Sequence, residues 1–309
     1  VHGGEKFNKS MLITDEVIAM IKECYGIAPL HNPVNMAGID AITAVLPGVP
    51  QVAVFDTAFH QTMPAKAYMY ALPYKYYSED GVRRYGFHGT SHRYVSQRVC
   101  EFLGVDIAGQ RIITCHIGNG GSMAAVVGGK SIDTTMGFTP LEGLMMGTRS
   151  GDIDPSVVEY LCDKKGMSVK EAINYLNKKS GIVGVSGVSS DMRELNDAIK
   201  AGNKRAKLAL EMVCYRISKY VGAMLAVMNG ADAIVFTAGV GENQEDLREA
   251  VLDQLSFAGV TFDREKNNHL PRGTVEELSL PTSKIKVYRI PTNEELLIAR
   301  DTLEITQAK

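Results

Sequence analysis

No stretch of the 309 residues approaches the roughly 20 consecutive apolar residues that a membrane-spanning helix needs. Charge of either sign is not in excess: 33 Lys and Arg stand against 35 Asp and Glu, a net charge of -2. That balance leaves no polybasic surface, so neither nucleic acid nor a membrane is expected as a partner. Cysteine is scarce and odd in number. Cys24, Cys100, Cys115, Cys162 and Cys214 are scattered with no CxxC pair, which excludes a disulfide framework and a zinc cluster and fits the reduced thiols of a cytoplasmic protein. There is no GxxxxGK[ST] motif, no solenoid repeat and no low-complexity segment. The opening VHGGEKF has no signal-peptide pattern. A valine followed by His-Gly-Gly reads as a start inside a domain, with an N-terminal part expected to precede it.

What is present is an alternation of apolar strands and amphipathic helices, which places the chain in the α/β class. Its length suits one large domain or two ordinary ones. Residues 13–25 and 36–46 read as helices, and Gln51–Thr57 as a buried strand ending in Asp56. Two glycines interrupt Arg83–Val95 before a helix from about Ser91 to Leu103. Arg111–Gly118, the turn NGGS and a second strand from Ser122 form a strand–turn–strand unit, with Gly128-Gly129 as a hairpin turn. Helices are expected over 156–165, 169–178, 191–200 and 204–228, the second opened by a Ser168/Glu171 capping box and the last long and buried. Ala233–Gly239 is a strand, Glu245–Phe257 a helix and Lys286–Ile290 a last strand before a closing helix.

The chemistry concentrates in loops. Gly137–Pro155 holds one cation, Arg149, between Thr148 and Ser150, with Glu142, Asp152 and Asp154 nearby. Such an arginine either grips a phosphate or carboxylate through paired hydrogen bonds or closes a surface ion pair with Asp152 or Asp154. Asp56 ends its strand where α/β folds place ligands, and serves a metal or substrate or else a turn. His88 and His92 are four apart, but no glutamate follows His88 and Gly89 interrupts the helix. An anion-binding His88 at a helix N-terminus is favoured over zinc. The glycines of GNGG, and Gly239 and Gly241 after the strand 233–239, allow backbone to approach phosphates or a nucleotide. Asn293 can cap the last helix, while Glu294 and Glu295 can hold a hydrated magnesium. Together these residues describe a phosphoryl-transfer site, which needs positioning, a metal and cations more than covalent chemistry.

At this point the motifs become those of a family. VHGGEKF, LHNPVN, VFDTAFHQTMP, YGFHGTSH, CHIGNGGS, Thr134–Pro155, SSDMR, FTAGVGEN and PTNEELLIARDT, in that order across Val1–Thr302, resemble acetate kinase of the acetate and sugar kinase, Hsp70 and actin superfamily. The resemblance implies two actin-like, ribonuclease H-like α/β domains with mixed sheets flanked by helices and a cleft between them, the first domain incomplete. Residues 1–55 and 295–309 would belong to the N-terminal, acetate-side domain and 56–294 to the C-terminal nucleotide-binding domain. Arg149, His88 and Asp56 would be catalytic, and Glu294 would bind Mg2+, with Mn2+ as a substitute. His116, Asn119 and Gly120 would clamp phosphate. Asp191, Arg193, Gly239, Val240 and Asn243 would form the adenosine pocket. Val1, Leu30, Phe87 and Pro140 would receive the acetate methyl, with His31 in support. The implied reaction is in-line transfer from ATP to acetate, giving acetyl phosphate and ADP, in a cytoplasmic homodimer. Propionate or butyrate kinase, and a catalytically dead nucleotide-binding fragment, are the competing expectations. The family carries roughly 90 residues ahead of the point where Val1 stands, a small domain's worth, with one substrate arginine among them. The chain by itself is therefore expected to be nearly inactive.

Overall fold

The structure, a computed structural model, describes residues 1–28 and 31–307. Its strands are β1 (Met11–Leu12), β2 (Val52–Ala53), β3 (Arg111–Ile117), β4 (Gly121–Val127), β5 (Lys130–Thr134), β6 (Ala233–Thr237), β7 (Glu276–Glu277) and β8 (Lys286–Arg289). Six of them form one mixed sheet in the order β5-β4-β3-β6-β8-β7. β3 pairs antiparallel with β4 around the short turn 118–120 and parallel with β6, where Cys115 faces Phe236 and His116 faces Thr237.

Strand alternation decides what each face carries. Ile113, Cys115 and Ile117 point to one side and pack with Phe236 and Val287 against Val213, Ile217 and Val221 of the helix Lys204–Met228. Ile112 points to the other side, where Val95, Val99 and Cys100 of the helix Gly89–Leu103 cover it together with Val235 and Tyr288. Thr114 and His116 share that second face, so the same period that builds the core also carries two polar side chains under a helix N-terminus. The adjacent C-terminal ends of β3 and β6 form the edge where open α/β sheets place ligands.

A smaller apolar cluster holds Phe7, Val17, Ile21, Met36, Ala53 and Phe55, with the Phe7 and Phe55 rings stacked at 4.0 Å. The last helix, Glu294–Gln307, reaches both parts: Asp301 accepts from Ser10 Oγ at 2.6 Å and pairs with Arg93 at 2.5 Å. No helix among the described residues is long and apolar enough to cross a membrane.

Most helices fall where the periodicity puts them, including the 168–171 capping box. Four readings need correction. The strand expected over Gln51–Thr57 is only the two residues of β2, because β1 offers just Met11 and Leu12 as ladder partners. The helix Lys204–Met228 is not buried all round; Leu208, Tyr215 and Val227 lie on an exposed stripe. Gly89 starts its helix rather than interrupting it. The strand expected over Ala233–Gly239 ends at Thr237 and the turn after it is helical, Ala238–Asn243, while a further helical turn, Gly181–Ser186, had no sequence signal because it is short and rich in glycine.

Candidate active site

His88 caps the helix Gly89–Leu103 in the left-handed conformation at φ 56°, a strained setting for a non-glycine residue. Asp56 holds it there: Asp56 Oδ2 accepts from His88 N at 2.7 Å and Asp56 O from Gly89 N at 2.9 Å. The His88 ring stacks on His116 with centroids 4.1 Å apart. Hydroxyls fix the surrounding rings. Ser122 Oγ lies 2.8 Å from both His88 Nδ1 and His92 Nε2, Thr114 Oγ1 lies 2.7 Å from His92 Nδ1, and Ser91 Oγ 2.7 Å from His116 Nδ1. His92 is thus a wholly buried support for its neighbours, with both ring nitrogens engaged. Burial is the main cause that pushes His88 down to about 4 and His116 to about 3, with Arg149 adding to the first and His88 to the second.

His60, wholly buried between Ser131 Oγ and the Phe87 carbonyl, is likewise pushed down to about 4, chiefly by burial. A histidine with a lowered folded pKa binds its proton more weakly than the unfolded chain does. Stability should therefore be full above pH 6.5 and fall as the pH drops through 4, by on the order of 3 kcal/mol for each such ring. Thermal unfolding between pH 7 and 4 measures this, and His60→Gln should flatten the decline; an unchanged slope would remove His60 from the account.

The structure removes one of the two readings of Arg149, the surface ion pair with Asp152 or Asp154. Asp152 accepts from Gly143 N at 2.8 Å and from the Tyr220 hydroxyl, and Asp154 accepts from Ser156 N at 2.9 Å. Glu142 pairs with Arg84 at 2.5 Å and accepts from Tyr70. The nearby acids are all committed elsewhere. Among the described residues no carboxylate lies within 4.0 Å of the Arg149 guanidinium, which donates only to the Pro140 carbonyl at 3.2 Å and toward Met146 Sδ. Desolvation lowers its pKa without removing its charge. Arg149 Nη1 and His88 Nε2 lie 3.3 and 3.7 Å from where a side chain on Gly120 would begin, so both groups converge on the bare backbone of the 118–120 turn.

The other expected residues gather around this point. Burial first, then the charges of Arg149 and the Val1 amine, lower the pKa of His31, with Asp56 opposing them. The Val1 carbonyl accepts from Asp56 N at 3.0 Å. Phe87 packs with Met136 and Met146 and meets His2 edge-on at 5.5 Å. Leu30 lies outside the described residues. Glu294 is pushed up to about 7, first by burial, then by the charges of Asp56 and Glu295. A buried carboxyl with a second carboxylate close enough to raise its proton affinity is a donor set that suits a hydrated divalent cation, which takes one or two carboxylates and leaves its remaining places to water and phosphate. Asn293 Oδ1 caps Leu296 N at 2.9 Å, so capping and metal binding fall to different side chains.

A cleft of about 570 Å³ adjoins the 118–120 turn, lined by Asn119, Asp191, Arg193, Gly239, Val240 and Asn243. His116 and Gly120 stand instead at its Arg149 end. Asp191 caps the helix Met192–Lys200 and pairs with Arg193 at 2.6 Å, which pulls its carboxyl down to about 2. Asn119 is packed against Gly147, where any side chain would overlap its Oδ1, while Gly147 N donates to its carbonyl at 3.0 Å. Sequence reasoning missed Ser190, Gln244 and Arg272. Ser190 lies inside the SSDMR motif and Gln244 directly follows FTAGVGEN, but Arg272 sits in a polar stretch without pattern. Gly239 has nothing within 4 Å of its missing Cβ, so Gly239→Val should fold normally and fill the cleft. The KM for ATP should rise about 10- to 100-fold with kcat little changed; an unchanged KM would place the nucleotide elsewhere.

A mixed-sheet α/β core that brings Arg149, without a carboxylate partner among the described residues, together with His88 beside a turn that also borders a large cleft is the arrangement of a phosphotransferase, and comparison with known proteins agrees. Residues 1–300 match the model of the Acetokinase family, and the chain belongs to that family. It is 57% identical over 308 residues to acetate kinase of Halothermothrix orenii, covering 100% of this chain and 77% of that protein. It is 60% identical over 305 residues to acetate kinase of Bacteroides thetaiotaomicron, covering 99% and 76%. Its fold superposes on the crystal structure of Porphyromonas gingivalis acetate kinase with a TM-score of 0.95 at 57% identity, covering 99% and 76%. A propionate kinase from Francisella tularensis gives a TM-score of 0.93 at 45% identity, covering 99% and 77%.

Proposed function

We propose that the protein transfers the γ-phosphoryl group of ATP to the carboxylate of acetate, giving acetyl phosphate and ADP, and catalyses the reverse reaction. The observation that carries this reading is Arg149: a half-buried guanidinium with no carboxylate partner, converging with His88 on the phosphate turn at the end of the cleft. A carboxylate oxygen of acetate attacks the γ-phosphorus in line, and the bond to the β-phosphate oxygen breaks with ADP leaving. Arg149 faces the equatorial oxygens, where its charge is worth most because no protein anion competes for it. His88, tied through Nδ1 to Ser122, presents Nε2 toward the same point. Asp56 and Glu294 would hold Mg2+, or Mn2+, which supplies Lewis-acid charge neutralisation at the phosphates. His116, Asn119 and Gly120 shape the phosphate end; Asp191, Arg193, Gly239, Val240 and Asn243 hold the nucleoside.

Val1, Phe87 and Pro140, with Leu30, are assigned to the substrate methyl and His31 to its support. One methylene is worth only about 1–3 kcal/mol of discrimination, so propionate is the second reading, favoured by the similarity to the Francisella tularensis propionate kinase. We assign residues 1–55 and 295–309 to an acetate-side domain and 56–294 to a nucleotide-side domain, supported by the separate cluster around Phe7 and Phe55. Family membership further supports a cytoplasmic homodimer. Trapping acyl phosphate with hydroxylamine, with acetate, propionate or butyrate as acceptor, tests the reading. The largest kcat/KM is expected with acetate; a larger value with propionate would reassign the substrate, and no product with any acid from the full-length protein would refute the function.

A further inference from the structure

Arg289, on β8, is 1% exposed, and no carboxylate lies within 4.0 Å of its guanidinium among the described residues. Its Nη2 donates to the Pro271 carbonyl and to Thr274 Oγ1, and its Nε has no partner at all. A buried guanidinium with an unsatisfied nitrogen is costly and has to be held by the surrounding structure. What this one grips is the segment 271–274, and that segment carries Arg272 into the nucleotide cleft. A second buried arginine, Arg248, secures the facing wall. It donates to the Gly241 carbonyl at 2.9 Å, inside the turn that bears Gly239, Val240 and Asn243, and to Asn267 Oδ1 at 2.8 Å, on the helical turn that leads to Pro271. Two buried cations thus fix the two walls of one cleft through backbone carbonyls.

Arg272 itself is exposed and makes no ion pair among the described residues, whereas Arg193, in the same cleft, is paired with Asp191. Its planar face is free. The phosphate end of the cleft is the 118–120 turn beside Arg149, and Arg272 has no part in that constellation. We infer that Arg272 is a nucleotide-binding residue whose guanidinium packs flat against the purine base, and that Arg289 is the positioning residue that holds it there. The inference rests on the assignment of this cleft to the nucleotide under the proposed function.

A flat guanidinium on an aromatic face is worth a few-fold to about 30-fold in affinity, and an ammonium does not reproduce it. The test is calorimetric titration of the full chain with adenosine and with ADP, in the wild type, Arg272→Ala, Arg272→Lys and Arg289→Gln, beside steady-state kinetics with ATP. Both Arg272 variants should bind adenosine and ADP about tenfold more weakly, and by the same factor for the two ligands. Arg289→Gln should show the same loss with Arg272 intact, raising the KM for ATP while kcat stays within about twofold. Arg272 is on the surface, so its variants report even where Arg289→Gln fails to fold. A loss confined to ADP would show a phosphate contact and overturn the inference, as would unchanged binding of both. If the wild type binds neither adenosine nor ADP, the nucleotide assignment itself fails.

Discussion

Arg149→Ala should lower kcat by about 10³- to 10⁵-fold while the KM for ATP changes little, the range found where a phosphoryl-transfer arginine is removed. The expectation follows from what Arg149 does not touch. An arginine already paired with Asp152 or Asp154 would bring little net charge to the reaction. Here those acids serve Gly143, Tyr220 and Ser156, and Glu142 serves Arg84 and Tyr70. Among the described residues the guanidinium has only a carbonyl and a thioether as partners, in a partly desolvated setting where the dielectric is low and its field is strong. Arg149→Lys should recover only a small part of the rate, because a point charge cannot span two phosphoryl oxygens. Single-turnover formation of acetyl phosphate separates chemistry from binding. A variant within tenfold of the wild type would mean that the transferred group does not sit at Arg149.

The second large effect is expected at a residue that touches no substrate. Gly181 opens the helical turn Gly181–Ser186 at φ 60°. Around it the chain clamps the Arg149 loop: Ser180 N donates to Thr148 O at 3.0 Å, Ile182 N to Met146 O at 2.9 Å and Val183 N to Gly147 O at 3.0 Å. A Cβ on Gly181 would overlap Met146 O and come within 2.6 Å of Arg149 O. Gly181→Val combines a left-handed β-branched residue with that overlap. A cost of about 4 kcal/mol is expected, with Tm falling by about 10 °C. The surviving folded protein should also have a kcat at least tenfold lower, because the loop cannot keep Arg149 in place. Calorimetry and the hydroxylamine assay together check this; a variant with normal Tm and normal kcat would show that the 180–183 clamp is dispensable.

Much of this architecture is legible along the chain because its signals are local. The strand-forming run Arg111–Ile117, the capping box at Ser168 and the glycines of the 118–121 turn each constrain their own few residues, and the structure keeps all three. Segments whose conformation depends on partners were harder to read. Gln51–Thr57 has the composition of a strand, yet only Val52 and Ala53 find a ladder partner. Gly181–Ser186 has no helical signature, because it exists to present amides to a loop more than thirty residues away.

For the site, the sequence by itself determined which residue types would be present: an arginine among acids, a histidine before a helix, an aspartate near the end of a strand and two glycine turns. Those identities were enough to point to phosphoryl transfer and to the family. Only the tertiary structure decided their states. Arg149 is unpaired because distant residues engage each nearby acid. His88 is neutral because it is buried, with the charges of Arg149 and His60 adding to that effect. Glu294 is raised first by burial and then because folding brings the charge of Asp56, 238 positions away, near it. Charge state, desolvation and the choice among competing partners are set by neighbours in space, and a sequence records those neighbours only where they are also neighbours along the chain.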